Sequence, residues 1–313
     1  MIVSLLSAWA ALLLMSGLQN DAQPSQELPR FRVEAFSTTL EVRVVDEKGR
    51  FVHGLTTHDI QVRTDGGRRP IRVVEERGGV RLNLAVLVDI GSEMQLDELK
   101  AAREAIFELI HLLEPEDRIS LFAYDRHVRL LAGPTTDRHE LVEALWNLSI
   151  GGRSSWWKRL GRLFSSSALT GFAVDEALLR LEEESDGVPV ILVFSSAFGN
   201  IGRATEEHVA RYRARIFGVG WGNPTGNIFN LGADRRTIQR LVGTSAGVMY
   251  SGSEIAERVT YLAEALKSYY LVVYVPESEE APKEIHVEYP SCRKCWISFR
   301  PTWGPEQGRE SVE

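Results

Sequence analysis

The residues with the clearest potential for chemistry follow a short apolar segment. Residues 82–88, LNLAVLV, have the length and composition of a strand that is buried on both faces of a parallel sheet. Asp89 comes directly after this segment, and Gly91, Ser92 and Glu93 follow it. The carboxyl ends of the strands border the ligand crevice of an open α/β sheet. We therefore expect Asp89 to lie where a functional carboxylate would lie.

The segment after Asp89 predicts a turn and then a helix. Gly91 permits a sharp turn, and Ser92 with Gln95 three residues later has the spacing of a capping box. The predicted helix covers residues 96–113. Strand, acidic turn and helix are therefore predicted to form one unit.

Strands and helices alternate through the rest of the segment 79–267. Strand patterns occur at 119–124, 128–131, 188–194 and 214–219, and helices are predicted at 137–148, 168–181, 205–213, 235–242 and 253–266. The strand at 128–131 is expected to be an antiparallel edge partner. The remaining alternation requires crossover connections, so the predicted fold class is α/β, with a Rossmann-like, doubly wound and mostly parallel sheet.

Small antiparallel β segments are predicted on both sides of this domain. Residues 31–78 alternate apolar and polar side chains and contain turn signals at 48–49 and 65–66, which predicts an N-terminal β unit. Residues 268–302 contain three extended segments, at 269–276, 284–289 and 296–300. We expect these C-terminal strands to pair with one another and with the N-terminal unit.

These patterns resemble a known family. A hydrophobic strand that ends in Asp-x-Ser-x-Ser before a long helix is the first signature of von Willebrand factor A domains, and residues 89–93 are similar to it. The segments 46–49, 54–56 and 65–67 resemble the leading β segment of a bacterial secreted branch of that family. The resemblance covers residues 31–301 and implies a protein-interaction or adhesion role.

The resemblance also implies a metal-ion-dependent adhesion site. In this family, hydroxyls of the first signature, a Thr on a second loop and an Asp on a third loop hold a divalent ion. The corresponding positions here are Asp89 and Glu93, then Ser167 or Thr170, and finally Ser196.

Several family ligands are replaced in this chain. Gly91 offers no side-chain oxygen, Arg153 stands where the family's Gly-Gly-Thr triplet has Thr, and residues 195–197 replace Thr-Asp-Gly with Ser-Ser-Ala. Because octahedral sites tolerate missing ligands poorly, we expect no cofactor, with Mg²⁺ or Mn²⁺ as the alternative. A further hypothesis places the Arg153 guanidinium over Asp89 and Glu93, where bidentate pairing would replace the cation.

The segment 153–164, RSSWWKRLGRLF, combines aromatic and basic residues, and we call it the Trp-rich segment. Tryptophan and arginine are enriched in the hot spots of protein interfaces, so this segment is the predicted partner-binding surface. Its proposed contact residues are Trp156, Trp157, Lys158, Arg159 and Phe164. One alternative is that the aromatic side chains simply cover the top of the sheet, and a membrane-surface role is another.

The chain has two cysteines, Cys292 and Cys295, in one C-x-x-C segment. In an exported protein a disulfide that closes a turn is the favoured interpretation. A redox centre would need a helix after the first cysteine, and a zinc site would need two more ligands, of which only His286 is near in sequence.

The amino terminus and the charge balance restrict location and partners. The apolar run at residues 2–15 predicts a signal peptide that covers residues 1–22, with an uncleaved membrane anchor as the alternative. Residues 23–30 are a predicted linker, and residues 303–313 are a predicted disordered tail. The protein is therefore expected to be exported, to the periplasm or outside the cell.

The net charge of −7 argues against nucleic-acid binding. Membrane contact is expected only through an uncleaved signal peptide or the Trp-rich segment.

These features predict an exported interaction or adhesion module, without a functional metal site, that binds a protein partner. A metal-dependent adhesion domain is the first alternative. A periplasmic hydrolase or redox enzyme is the second, although the chain has no phosphate-binding Gly-rich loop with Lys-Ser/Thr.

Overall fold

The fold is built from three sheets and from helices that cover the largest sheet. The computed structural model describes residues 37–91, 94–149, 169–183, 187–196, 198, 201–221, 232–277 and 281–302. Its strands are β1 (Thr38–Val45), β2 (Gln61–Thr64), β3 (Gly67–Arg69), β4 (Ile71–Arg77), β5 (Leu82–Asp89), β6 (Arg118–Tyr124), β7 (Val128–Thr135), β8 (Val188–Ser195), β9 (Arg215–Gly220), β10 (Met249–Ser251), β11 (Tyr269–Tyr274), β12 (Ile285–Glu288) and β13 (Trp296–Pro301). Its α-helices are α1 (Leu96–Leu112), α2 (Arg138–Trp146), α3 (Leu169–Glu183), α4 (Arg203–Tyr212), α5 (Gly232–Thr244) and α6 (Ile255–Lys267).

The central sheet confirms the predicted fold class. Its six strands have the order β10-β9-β8-β5-β6-β7, and all neighbouring pairs are parallel except β6 with β7. The expected antiparallel edge strand is therefore present. Strand β5 lies in the middle of the sheet, so the end of β5 meets the ends of β6 and β8 at one edge.

The helices cover both faces of the central sheet. Buried side chains of α1, α2 and α6 pack in one apolar core, and those of α3, α4 and α5 pack in another. Strand β5 serves both cores, because Leu84 and Val86 face the first while Ala85 and Leu87 face the second. Burial of each such leucine or valine contributes about 1.5–3 kcal/mol. The unbroken apolar pattern of β5 follows from this two-sided burial.

The start of helix α1 differs from the prediction. A capping box predicted for Ser92 and Gln95 is wrong, because Gln95 is itself the N-cap and pairs with Glu98. The Glu98 side chain accepts a hydrogen bond from the backbone N–H of Gln95 at 2.8 Å. Met94 N, just before this N-cap, donates to Gly91 O at 3.2 Å.

The flanking β segments are interleaved. The four-stranded sheet has the order β13-β1-β11-β4, and the three-stranded sheet has the order β12-β2-β3. Strands of the N-terminal unit and C-terminal strands therefore pair with each other, as expected. The prediction that the C-terminal strands also pair with one another is wrong for the described strands, because β1 lies between β11 and β13 and β12 pairs with β2. The N-terminal strands β1 and β4 are separated by β11 rather than paired together, because the apolar faces of β1 and β11 share one core around Val42 and Val272.

A buried group of charged residues links the four-stranded sheet to the central sheet. Glu41 and Arg43 of β1 meet Arg215 of β9 and Arg300 of β13, and we call these four residues the arginine cluster. Glu41 Oε1 lies 2.6 Å from Arg215 Nε, and Glu41 Oε2 accepts a hydrogen bond from Arg300 Nη2 at 2.6 Å. Arg43 donates from Nε to Ser268 O at 2.9 Å. One carboxylate thus faces three guanidinium groups.

The buried charges of the arginine cluster shift the pKa values of Glu41 and Arg43. Burial raises the pKa of Glu41, but Arg215, Arg300 and Arg43 together hold it below its ordinary value. Burial and the neighbouring charge of Arg215 lower the pKa of Arg43 to about 9. The carboxylate of Glu41 is therefore the charge that makes burial of the three arginines tolerable.

A histidine bridge joins the loop after β1 to helix α6. His53 Nδ1 lies 2.8 Å from Glu76 Oε1, and His53 Nε2 lies 2.8 Å from Glu264 Oε1. Because an ionised carboxylate only accepts hydrogen bonds, both ring nitrogens must carry protons for both bonds to form. The hydrogen bond to Glu76 is the main cause that raises the pKa of His53, against the opposite effect of burial.

The histidine bridge predicts a pH-dependent contribution to stability. With a folded-state pKa above the unfolded value, His53 stabilises the fold fully below the unfolded pKa, and this stabilisation is lost as pH rises through the folded pKa. We expect the stability difference between wild type and His53→Gln to be larger at pH 6 than at pH 9 in urea unfolding. His127→Gln, which changes an exposed histidine on the β6–β7 turn, is the control. Equal differences at both pH values for His53→Gln would contradict the bridge.

Within the described ranges, no helix is long and apolar enough to cross a membrane.

Candidate functional site

The candidate site lies at the carboxyl ends of three adjacent strands. Asp89 ends β5, Tyr124 ends β6 and Ser195 ends β8. Asp89 and Tyr124 are paired in register, and Val88 is paired with Phe194, the residue before Ser195. The parallel sheet therefore brings the three polar side chains together at one edge.

Asp89 is held by protein donors on both of its oxygens. The Ser195 hydroxyl donates to Oδ2 at 2.7 Å, and the backbone N–H of Gly91 donates to Oδ1 at 2.8 Å. Asp89 is only 1% exposed. Charged carboxylates need hydrogen bonds when they are buried, and these two donors supply them.

Tyr124 and Thr170 complete the same polar site. Burial raises the pKa of the Tyr124 hydroxyl, and the charge of Asp89 raises it further, while the hydroxyls of Thr170 and Ser195 act in the opposite direction. Thr170 is fully buried near the start of α3. We call Asp89, Tyr124, Thr170 and Ser195 the Asp89 site. Its donor set is one carboxylate and three hydroxyl groups.

The two serines at the end of β8 have different partners. Ser195 contacts Asp89, whereas the Ser196 hydroxyl donates to Glu98 Oε2 at 2.5 Å and lies 3.1 Å from the sulfur of Met94. Ser196 therefore connects the third loop to the first turn of α1. Its proposed role as a metal ligand stays a prediction.

Sequence reasoning identified Asp89 and Thr170 but did not select Tyr124 or Ser195. Both missed residues end strands that neighbour β5, so the register of a predicted parallel sheet was the signal that could have found them. The other predicted positions, Glu93 and Ser167, lie outside the described residues. So do Arg153 and the predicted partner-binding residues Trp156, Trp157, Lys158, Arg159 and Phe164.

The carboxylate and hydroxyl oxygens of the Asp89 site can be compared with the ligands that a metal ion requires. Carboxylate and hydroxyl oxygens suit hard cations such as Mg²⁺, which require near-ideal octahedral geometry. Over the described ranges, no group of three or more His, Cys, Asp or Glu side chains is arranged to hold an ion. The Asp89 site, as far as it is described, has one carboxylate, and both of its oxygens have protein donors. These residues therefore fit a metal poorly.

The two cysteines are joined. Cys292 and Cys295 form a disulfide in the turn between β12 and β13, with Cα atoms 5.5 Å apart, as the sequence analysis favoured. Cys292 N also donates to Tyr289 O at 3.1 Å. In this state neither sulfur is the thiolate that a zinc site requires. The chain continues as strand β13 rather than as the helix that a thioredoxin-like redox centre would have after its first cysteine.

A histidine–carboxylate pair lies on helices α3 and α4. His208 Nδ1 is 3.0 Å from Asp175 Oδ1, and the Thr205 hydroxyl donates to Asp175 Oδ2 at 2.8 Å. A nucleophilic hydroxyl would instead donate to the imidazole, which acts as its base. The arrangement around Asp175 is therefore a surface hydrogen-bond network and lacks the geometry of a hydrolase triad.

The chain is similar to solved structures of low sequence identity. No family model and no curated protein matches the chain. The conserved hypothetical protein BatB from Bacteroides thetaiotaomicron is 13% identical, with 59% of this chain and 98% of that chain covered and a TM-score of 0.43. An aerotolerance-related membrane protein from Bacteroides fragilis is 12% identical, with 58% and 98% covered and a TM-score of 0.42.

A third solved structure is proximal thread matrix protein 1 from the mussel byssus. It is 12% identical, with 61% of this chain and 49% of that chain covered and a TM-score of 0.44. One structure of that protein has a zinc-occupied MIDAS motif. For the present chain, the strand order with its antiparallel edge and the position of Asp89 at the end of the central strand define a von Willebrand factor A-like fold.

Proposed function

We propose that this protein is an exported module that binds a protein partner through its von Willebrand factor A-like domain, without a bound metal ion and without enzymatic activity. The hydrogen bond from Ser195 to Asp89 is the observation that carries the proposal. It supplies from within the protein an interaction that a metal ion supplies in a working adhesion site. Partner binding would then depend on side chains rather than on a shared cation.

The Trp-rich segment is the partner surface in this proposal. It contains Trp156 and Trp157 and four basic residues, Arg153, Lys158, Arg159 and Arg162, so its chemistry suits an acidic protein surface. The segment lies between α2 and α3 in the chain, and α3 begins next to Thr170 of the Asp89 site. This order along the chain supports a partner that approaches the carboxyl edge of the central sheet.

The test is a quantitative pull-down with the full chain as bait. We expect replacement of both Trp156 and Trp157 by alanine to reduce capture of an acidic partner by at least about tenfold, because interface tryptophans contribute about 2 kcal/mol or more. Trp146→Ala is the matched control, since Trp146 is an exposed tryptophan on α2 outside the segment. Capture should be equal in chelator and in millimolar Mg²⁺.

Two results would contradict the proposal. Capture that survives the Trp156 and Trp157 changes would place the partner surface elsewhere. Capture that requires Mg²⁺ or Mn²⁺ would favour the alternative, a metal-dependent adhesion domain in which Asp89, Glu93 and either Ser167 or Thr170 are ligands.

A further inference from the structure

Two buried side chains of the four-stranded sheet have polar atoms without a protein partner. Nη1 and Nη2 of Arg43 and Oγ of Ser298 make no hydrogen bond to any of the described residues. Arg43 is 0% exposed and Ser298 is 1% exposed. A buried donor without an acceptor costs free energy, and the cost is greater when the donor is charged. An acceptor that reaches these atoms would therefore stabilise the fold.

Strand pairing places Arg43 and Ser298 side by side. They are opposite each other in the antiparallel pair of β1 and β13, and such partners project from the same face of a sheet with Cβ atoms about 4.5–5.5 Å apart. This face is turned towards the central domain, because Arg43 Nε donates to the carbonyl oxygen of Ser268 at 2.9 Å and Arg43 Cζ lies 5.1 Å from the ring centroid of Phe217 in β9. One small ligand between the sheet and the domain can therefore contact both side chains.

The nearest carboxylate is engaged by other arginines. Glu41 Oε1 lies 2.6 Å from Arg215 Nε, and Glu41 Oε2 accepts a hydrogen bond from Arg300 Nη2 at 2.6 Å. The distance from Glu41 Oε1 to Arg43 Nη2 is 3.8 Å, which is longer than a hydrogen bond. Arg43 is therefore the member of the arginine cluster whose charge is least well paired within the described residues.

Arg43 keeps its charge in this environment. Burial is the main cause that lowers its pKa to about 9, and Arg215 and Arg300 lower it further, against the opposite effect of Glu41. A group with this pKa is still a cation at neutral pH. The ring of Phe217 offsets part of the cost of burial through a cation–π contact. The ring supplies no negative ion, so the cluster keeps an excess of positive charge.

We propose that a single chloride ion binds between the four-stranded sheet and the central domain, where it accepts hydrogen bonds from Arg43 Nη1 and Nη2 and from the Ser298 hydroxyl. Three guanidinium groups and one carboxylate leave an excess of two positive charges, which one monovalent anion reduces to one. A larger or multiply charged anion fits less well, because it would lose more hydration in a fully buried site. Water could accept the same hydrogen bonds, but it would leave the charge unchanged.

The site is independent of the proposed partner binding, since no residue of the Trp-rich segment belongs to it. Thermal melts of the full chain in potassium chloride and in potassium gluconate, both at an ionic strength of about 0.15 M, test it. Gluconate is too bulky for a buried site of this kind. An ion that binds only the native state raises the melting temperature, and we expect it to be at least about 3 °C higher in chloride. Equal melting temperatures would overturn the proposal in favour of water.

Variants locate the chloride effect. Arg43→Met removes the guanidinium group and should abolish the difference between chloride and gluconate, whereas Ser298→Ala removes one hydroxyl and should reduce that difference by at least about half. Arg72→Met, which changes an exposed arginine of β4 in the same sheet, is the matched control and should keep the full difference. A full difference in folded Arg43→Met would reveal a general salt effect and overturn the site. If Arg43→Met does not fold, a full difference in Ser298→Ala has the same meaning.

Bromide identifies the bound ion directly. Bromide carries the same charge as chloride and scatters X-rays anomalously, so crystals of the full chain grown in sodium bromide show where a halide binds. We expect an anomalous peak within hydrogen-bonding distance of Arg43 Nη1 or Nη2 and of Ser298 Oγ. Anomalous peaks at surface positions only would overturn the proposal.

Discussion

Glu41→Gln is expected to lower the free energy of unfolding by about 3–5 kcal/mol, because it removes the carboxylate of a buried charge cluster and leaves its cations uncompensated. Glu41 is 3% exposed, Arg43 is fully buried and Arg215 is 1% exposed, so water cannot replace the lost charge at these positions. Urea unfolding of wild type and variant measures the difference.

Two further variants test whether the effect of Glu41→Gln comes from the buried charges of the arginine cluster. Glu75→Gln changes an exposed glutamate of β4 that pairs with Arg77 at the surface, and we expect a loss below about 0.5 kcal/mol. The double variant Glu41→Gln, Arg215→Met should cost less than the sum of the two single changes, because it removes one of the uncompensated cations. A loss below about 1 kcal/mol for Glu41→Gln would mean that the cluster does not depend on its carboxylate.

Asp89→Ala should destabilise the protein by about 2–4 kcal/mol, since it leaves the buried Gly91 N–H and the Ser195 hydroxyl without their acceptor. The loss should be the same in chelator and in millimolar Mg²⁺ or Mn²⁺, and the ions should not shift the wild-type melting temperature. A ligand that binds only the native state must raise that temperature. The measurement is a thermal melt combined with urea unfolding under each condition.

The control for Asp89 is Asp97→Ala. Asp97 is an exposed carboxylate in the first turn of α1, where its interaction with the helix dipole contributes at most about 1 kcal/mol. If Mg²⁺ or Mn²⁺ raises the melting temperature of wild type but not of Asp89→Ala, the site binds metal. The proposed metal-independent function would then be wrong.

The local elements were largely predictable from sequence. Strand β5 was predicted at 82–88 and spans Leu82–Asp89, and the helix predicted at 253–266 is preceded by a short 3₁₀ turn and spans Ile255–Lys267. Such elements are recognisable because burial on one or two faces imposes a period on neighbouring residues. The error at the start of α1 arose because Ser92 and Gln95 have the spacing of a capping box, whereas the observed N-cap is Gln95, a residue type that is not among the preferred N-caps.

The contents of the Asp89 site were only partly predictable. Asp89 was identified because it directly follows the central strand, whereas Tyr124 and Ser195 lie 35 and 106 positions further along the chain. Neither has a local pattern that distinguishes it from other polar residues at strand ends. Their proximity to Asp89 depends on the order of strands β8, β5 and β6.

By itself, the sequence determined the α/β class, the alternation of strands and helices, and the position of one carboxylate at the end of the central strand. These properties follow from hydrophobic periodicity and turn chemistry, which act between residues close in the chain. The tertiary structure alone decided that β11 lies between β1 and β4, that Ser195 rather than Ser196 contacts Asp89, and that Glu41 meets Arg215 and Arg300. Those contacts join residues far apart in sequence, and their partners are selected by packing and by the need to pair buried charge, for which the chain carries no local pattern.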